Sequence, residues 1–211
     1  MKLFSPAALV VSISLAATAC REASSTPPLA RGRELFELCA QCHGLSGGGN
    51  ELLKAPAIAG QHAWYIATQL HKFKNGIRGK HPSDTAGLRM RAMALSLKSD
   101  EDIAAVAEYA ASLPPEHLPS TVGGDAGSGA GLFVPCSACH GPDGKGDAEK
   151  KAPALVRAND WYLLSQLEKF KAHIRGSSPD DAEAALMLPW VQTLADPQAM
   201  KDVVAHVATL Q

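Results

Sequence analysis

The sequence repeats itself at an offset of 97 residues, and this duplication limits the fold more than any other feature. Residues 39–43 align on residues 136–140 without a gap. The same offset matches Lys54-Ala55-Pro56-Ala57 with Lys151-Ala152-Pro153-Ala154, Trp64-Tyr65 with Trp161-Tyr162, Gln69-Leu70 with Gln166-Leu167, and Ile77-Arg78-Gly79 with Ile174-Arg175-Gly176. The chain is therefore a tandem duplication of one small unit, and two similar domains are expected.

The repeat also predicts where the domains lie. Residues 31–113 form the first domain and residues 129–211 the second, and residues 114–128 connect them. The connecting segment is dense in Pro, Gly and Ser, which predicts an extended, partly flexible linker. Aromatic residues make up only 5% of the chain. Domains this small bury a modest fraction of their surface, so a covalently bound cofactor would help to stabilise them.

The hydrophobic pattern predicts an all-α fold. Apolar residues recur at helical spacing in the last helix of each copy, with Ser99 as one N-cap and Asp196 followed by Pro197 as the other. These apolar positions are Ile103, Val106, Ala107, Ala110 and Leu113, then Met200, Val203, Val204 and Val207. Middle helices are expected over 62–75 and 160–172, and first helices over 31–42 and 130–139. No run alternates with period two, so strands are not expected.

The first 19 residues have the layout of a secretory signal peptide. Lys2 precedes an apolar run that ends at Leu15 and is too short to span a membrane comfortably. Ala17-Thr18-Ala19 fits cleavage with ordinary release, whereas Cys20 after small residues resembles a lipoprotein acylation site, although Ala17 replaces the usual Leu. Since Cys20 is the one cysteine without a partner motif, we expect lipidation there, a tether over 20–30, and association with the membrane through Cys20.

Two Cys-x-x-Cys-His motifs carry the chemistry. Each has the c-type haem attachment pattern, in which two thiols one helical turn apart bond to the haem and the next residue ligates the iron. The pattern predicts two covalently bound haem c groups, attached through Cys39, Cys42, Cys136 and Cys139, with His43 and His140 as axial ligands. A Cys₄ zinc site would leave both histidines without a role, and no βαβ pattern supports a redox-active disulfide.

A second axial ligand is expected from a methionine in each copy. Met90 and Met187 lie at equivalent positions of the repeat, each 51 residues after the first cysteine of its motif. The rival Met93 aligns with Trp190, which cannot bind iron, and Met200 belongs to the apolar stripe of the last helix. A thioether favours ferrous iron, so this ligand pair raises the reduction potential. The alternative role for both methionines is core packing.

Further residues suit the surroundings of a haem. Pro56 and Pro153 are placed to offer a backbone carbonyl to the imidazole N–H of the preceding motif. Two aromatic pairs either contact haem or belong to the core, and two arginines either neutralise haem propionates or face solvent. These residues are Trp64, Tyr65, Trp161 and Tyr162, then Arg78 and Arg175.

The sequence resembles the dihaem class I cytochromes c of the cytochrome c4 type over nearly all of residues 31–211. The resemblance rests on both haem motifs and on the spacing of Pro56, Gly60, Gln61 and Tyr65. It continues through Gln69-Leu70, Phe73, Gly76 and Arg78, then Met90, Met93 and Leu97, and finally Ser99-Asp100-Glu101-Asp102-Ile103. It is weaker in the second copy, where Arg157-Ala158 replaces the Gly-Gln pair.

The resemblance implies two tandem cytochrome c-like domains in a periplasmic electron carrier that is not an enzyme. Such proteins pass electrons between respiratory complexes or to a terminal oxidase. The alternative is the dihaem cytochrome subunit of a dehydrogenase, such as a sulfide-oxidising flavocytochrome. A dihaem peroxidase would need an open iron position, which paired methionines would close. The net charge of −1 argues against nucleic acid, so the expected partners are redox proteins.

Overall fold

The computed structural model describes Met1 and residues 28–211, and the predicted signal peptide and Cys20 lie outside the described residues. Over 28–211 the chain forms nine helices: α1 (Pro28–His43), α2 (Ala63–Lys74), α3 (Thr85–Ser96), α4 (Asp100–Ser112), α5 (Ala126–His140), α6 (Asp160–Lys171), α7 (Ala182–Ala185), α8 (Met187–Gln192) and α9 (Pro197–Ala208). Within this range there is no strand, only the isolated bridges Asn50–Ala55 and Asp147–Ala152. The predicted all-α class is confirmed.

The helices follow the repeat, but each half contains a helical segment that the hydrophobic pattern did not predict. In the first half this is α3, which carries Met90 and begins after Asp84, whose side chain accepts from the backbone N–H of Gly87. In the second half the corresponding segment is divided into α7 and α8. Pro189 lies in α8 and has no N–H to donate to the carbonyl four residues earlier, which accounts for the break after Ala185.

The first and last helices of each half cross at a glycine. A Cβ added to Gly32 of α1 would collide with the carbonyl oxygen of Ala105 in α4. Gly129 of α5 occupies the equivalent position against Asp202 of α9. Because no side chain separates the backbones, the helices approach closely and bury the apolar stripes predicted above.

The two hydrophobic cores are built from equivalent positions. The first contains Phe36, Leu97, Ile103, Val106 and Ala110, and the second contains Phe133, Leu194, Met200, Val203 and Val207. Both predicted N-caps are present: Ser99 accepts from the N–H of Asp102, and Asp196 accepts from the N–H of Ala199. Capping of this kind contributes about 1 kcal/mol to a helix.

The connecting segment is extended, but it is held against the second domain. Leu118 is buried, and its backbone N–H donates to Gln211 Oε1 at 3.2 Å. Asp160, at the start of α6, accepts from the N–H of Val122 at 2.9 Å and from the Thr121 hydroxyl. Helix α5 begins at Ala126, so the last residues assigned to the linker are helical. The composition predicted an extended, partly flexible linker. The segment is extended, but these contacts hold it against the second domain.

Over residues 28–211, every helix falls short of the length and apolar character that crossing a bilayer requires.

Candidate haem sites

The imidazole of His43 is positioned by a backbone carbonyl. Its Nδ1 atom lies 2.7 Å from the carbonyl oxygen of Pro56, as the sequence predicted. Because a carbonyl can only accept, this contact requires the proton on Nδ1 and leaves the lone pair on Nε2. That is the tautomer that binds a metal through Nε2, with its ring orientation fixed by a neighbouring group.

The second histidine repeats this geometry. His140 Nδ1 lies 2.9 Å from the carbonyl oxygen of Pro153. Both rings are buried, His43 with 6% and His140 with 5% of its surface exposed. Burial lowers the pKa of each imidazole, and the carbonyl contact offsets this only in part. Both side chains are therefore neutral near pH 7, as an iron ligand must be.

A glycine in each following loop allows the carbonyl to reach the ring. Gly49 has a φ of 90°, and a Cβ there would lie 2.6 Å from the backbone nitrogen of Ala57. Its N–H donates to the carbonyl of His43 at 2.9 Å, which brings the loop back to the end of α1. Gly146 has the same role after His140. Any larger residue would push the proline carbonyl away from the imidazole.

The four motif cysteines lie at the ends of α1 and α5. Cys39 and Cys136 are half-buried, whereas Cys42 and Cys139 are exposed. Burial raises the pKa of Cys39 to about 11 and also raises that of Cys136. Each thiol pair thus occupies one helical turn beside a buried imidazole, an arrangement suited to two thioether bonds on one side of a haem.

One cavity in the second domain is lined by all four residues predicted for the second site. These residues are Cys136, Cys139, His140 and Met187. Trp190 also lines this cavity, with 50% of its surface exposed. The fold therefore brings the motif residues of α5 and the methionine of α8 to one cavity, although they are about 50 residues apart in the sequence.

The methionines differ in their surroundings. Met90 and Met187 are half-buried, and Met187 packs beside Phe170 and Val191. Met93 is 43% exposed, so it lies on the outer side of α3. Met200 is 5% exposed within the second core, which confirms its predicted place in the apolar stripe of α9.

Arg78 and Arg175 lie at the interface between the domains rather than in solvent. Arg78 donates to Gln166 Oε1 at 2.7 Å and to the Tyr162 hydroxyl at 3.1 Å, both in the second domain. Arg175 makes the reciprocal contacts in the first domain, with Tyr65 and Gln69. No interface role was predicted for these two arginines. The recurrence of the same polar residues in both copies was the signal that could have indicated a twofold contact.

Trp64 and Trp161 also make contacts across the interface. Lys54 Nζ lies 5.5 Å from the ring centre of Trp161, and Lys151 Nζ lies 5.9 Å from that of Trp64. Both lysines adopt a positive φ, 52° and 55° respectively. The equivalent loops therefore reach across to equivalent rings, and each cation–π contact contributes about 0.5–1 kcal/mol where it is exposed.

The unpaired donors of the structure fit a cofactor that carries carboxylates. Among the described residues, four buried side-chain nitrogens have no hydrogen-bond partner: Trp64 Nε1, Arg78 Nε, Arg91 Nε and Arg175 Nε. Trp64 and Arg175 line the same cavity as His140. Buried N–H groups are normally paired, and haem propionates would supply acceptors. The residues present therefore suit every part of a haem: thiols for attachment, an imidazole and a thioether for the iron, and cationic donors for the propionates.

Known proteins share this architecture. The sequence profile of the cytochrome c family matches residues 29–114 and 126–211. The chain is 29% identical over 214 residues to cytochrome c4 of Pseudomonas aeruginosa, covering 96% of this chain and 97% of that protein. It is 31% identical to a thiosulfate dehydrogenase electron acceptor of Thiomonas intermedia, over 67% of this chain and 66% of the relative.

Two further similarities extend the comparison. A cbb3-type cytochrome c oxidase subunit FixP of Bradyrhizobium is 28% identical over 86% of this chain, which spans 60% of the subunit. The crystal structure of reduced cytochrome c4 from Pseudomonas stutzeri superposes with a TM-score of 0.69 at 24% identity, over 87% of this chain and 98% of the other. The family match on both halves requires two haem c groups. The chain belongs to the cytochrome c family and is a dihaem electron-transfer cytochrome of the c4 type, a carrier rather than an enzyme.

Proposed function

We propose that Cys39 and Cys42 hold the first haem, with His43 and Met90 as its axial ligands. Cys136, Cys139, His140 and Met187 hold the second in the same way. The observation that carries this proposal is the second-domain cavity, which all four residues line and where the His140 ring is fixed by Pro153. The haem supplies an iron that alternates between the ferric and ferrous states. His43 and Met90, and likewise His140 and Met187, would bind the two irons and leave no free coordination position for a substrate.

The chain shuttles electrons in the periplasm between respiratory complexes or to a terminal oxidase. Export follows from the signal-like residues 1–19, and Cys20 provides a lipid anchor. The similarity to an oxidase subunit supports an oxidase as the electron acceptor. Each histidine ligand is buried and its ring is held by a proline carbonyl, which limits structural change between oxidation states as an electron carrier requires.

A second candidate function is that of the acceptor partner of a dehydrogenase. The similarity to the electron acceptor of a thiosulfate dehydrogenase favours this alternative. This function differs from that of a subunit in a sulfide-oxidising flavocytochrome only in the electron donor, since the iron ligands would be the same.

One experiment separates the two functions. The haem-loaded protein, reduced in a redox titration, would be mixed with membranes that contain a cbb3-type oxidase, and the oxidised protein with a thiosulfate dehydrogenase and its substrate. Rapid reoxidation by the membranes supports the shuttle. Reduction by the dehydrogenase without reoxidation supports the acceptor function, and absence of both reactions would contradict each proposal.

A further inference from the structure

Two ion pairs cross the domain interface at equivalent positions. Lys72 Nζ of α2 lies 2.6 Å from Asp181 Oδ1, and Lys169 Nζ of α6 lies 2.7 Å from Asp84 Oδ1. The offset of 97 relates Lys72 to Lys169 and Asp84 to Asp181, so the arrangement is reciprocal. Side-chain exposure is 11% and 3% in the first pair and 17% and 6% in the second. Breaking a pair this deeply buried leaves an uncompensated charge, unlike breaking a surface pair.

The same aspartates start the helices that carry the methionines. Asp84 caps α3, where it accepts from the N–H of Gly87 at 2.9 Å, and Met90 lies in that helix. Asp181 caps α7, where it accepts from the N–H of Ala184 at 3.2 Å, and Met187 follows at the start of α8. Each ion pair thus links a lysine of one domain to the methionine-bearing segment of the other.

The second domain provides an independent observation. Lys72, although it belongs to the first domain, lines the same cavity as His140 and Met187. It also contacts Glu183 of α7 at 2.8 Å. The first domain therefore forms part of the wall of the second haem site.

We propose that Lys72 and Lys169 are positioning residues, each of which holds the axial methionine of the other domain. Lys169 fixes the start of α3 and through it Met90, and Lys72 fixes the start of α7 and through it Met187. This inference rests on the proposed ligand assignment. Its consequence is that how firmly each methionine is held depends on contact with the neighbouring domain. A change in one domain can therefore alter the iron ligation of the other, although the domains share no ligand.

The physical cause is the burial of the aspartates. Without the ammonium of Lys169, the buried carboxylate of Asp84 loses the counter-charge that contacts it and keeps only the longer-range attraction of Arg78. It must then take up a proton or move towards solvent, and either change weakens the cap. The first turn of α3 loosens, and Met90 is held less firmly.

The experiment uses the full-length, haem-loaded protein with Lys169→Met and Lys72→Met. An iron-bound methionine gives an upfield-shifted methyl signal in the NMR spectrum of the reduced protein, and Met90→Ala and Met187→Ala assign the two signals. Lys169→Met should broaden or remove the Met90 signal alone, and Lys72→Met the Met187 signal alone. Imidazole should bind the oxidised iron of the affected domain about tenfold more tightly, which corresponds to ~1.4 kcal/mol.

Lys171→Met is the matched control on the same helix as Lys169. Lys171 Nζ donates to the carbonyls of Leu194 and Gln192 in its own domain, so its loss should leave the Met90 signal unchanged. Lys169→Arg should restore the Met90 signal. Asp84→Asn should disturb the Met90 signal less than Lys169→Met does, because asparagine keeps the cap and leaves no uncompensated carboxylate.

The outcomes separate this inference from the ligand assignment. If Met90→Ala removes the first signal but Lys169→Met leaves it intact, the positioning role is wrong and the ligand assignment stands. If Lys169→Met affects only the Met187 signal, the crosswise action is overturned. If Met90→Ala removes no signal, the ligand assignment itself fails.

Discussion

The side-chain amide of Gln61 pairs with both backbone groups of Ala154 across the domain interface. Gln61 Nε2 donates to the carbonyl of Ala154 at 2.8 Å, and the N–H of Ala154 donates to Gln61 Oε1 at 3.3 Å. Ala154 directly follows Pro153, whose carbonyl oxygen faces His140. The first domain thus holds the segment that orients the imidazole of the second.

The reciprocal contact uses a different residue. Ala158 stands at the position equivalent to Gln61 and has no side-chain amide. Asn159, one residue later, instead accepts from the N–H of Ala57 at 2.6 Å. The second copy therefore lacks the Gly-Gln pair but keeps one of the two hydrogen bonds, because the shorter side chain of Asn159, one position further along, reaches the equivalent backbone N–H.

Gln61→Ala should destabilise the haem-loaded protein by about 1–3 kcal/mol, because it removes two buried hydrogen bonds and leaves the groups of Ala154 unpaired. The free energy of unfolding in urea would measure this. Gln41→Ala, at an exposed position between the first two motif cysteines, is the control and should change stability by less than about 0.5 kcal/mol. Equal effects of the two substitutions would contradict the role of Gln61.

Simultaneous Cys39→Ala and Cys42→Ala substitution should leave one covalently bound haem per chain. Both thioether bonds of the first motif are then lost, whereas Cys136 and Cys139 retain theirs. Intact mass and the haem stain of denatured protein on a gel measure the number of haems. The unaltered protein should exceed the mature polypeptide mass by two haems. Retention of both haems in the double variant would show that the attachment residues are wrongly assigned.

Met90→Ala should open the first iron to water, lower its reduction potential and abolish its near-infrared sulfur-to-iron band, and Met187→Ala should do this at the second iron. Met93→Ala should leave both irons six-coordinate and cost at most about 1 kcal/mol, because Met93 is 43% exposed. Absorption spectra and a redox titration measure these effects. An open first iron in Met93→Ala but not in Met90→Ala would reverse the assignment.

The ion pair between Asp84 and Lys169 should stabilise the protein at neutral pH and cease to do so in acid. Burial alone would raise the pKa of Asp84, but the bonds from Lys169 and from the N–H of Gly87 outweigh it and lower the pKa. A depressed folded-state pKa adds stability above the unfolded value of about 3.9, and this stability disappears as the pH falls through the folded value. The difference in unfolding free energy between the protein and Asp84→Asn should therefore shrink below about pH 3.9. A difference that is independent of pH would rule this out.

Acylation of Cys20 should place the protein in the membrane fraction, and Cys20→Ser should move it to the soluble periplasm. Each buried CH₂ of an acyl chain contributes ~0.8 kcal/mol, so several chains anchor firmly where one does not. Fractionation and N-terminal mass spectrometry measure both effects. Soluble mature protein with an unmodified Cys20 would remove the anchor.

The contacts between the domains are the part of the structure that the sequence predicted least. Tyr65, Gln69 and Arg78 recur in the second copy, so the repeat identified them, but their partners belong to the opposite copy. A hydrophobic pattern reports which face of a helix is buried and not which chain segment covers it. The polar contacts of the middle helices were therefore not predictable from periodicity.

The sequence by itself determined the duplication, the all-α class, the caps at Ser99 and Asp196, and the proline carbonyl beside each imidazole. These features depend on residues close in the chain, or on a spacing that one helix or loop converts directly into geometry. Only the tertiary structure decided that α3 and its counterpart are helical, that Asp160 restrains the linker, and that Lys72 and Lys169 reach across to Asp181 and Asp84. The two lysine–aspartate contacts join residues about 100 positions apart, as from Lys72 to Asp181, and they form only because packing two similar domains face to face buries their charges together.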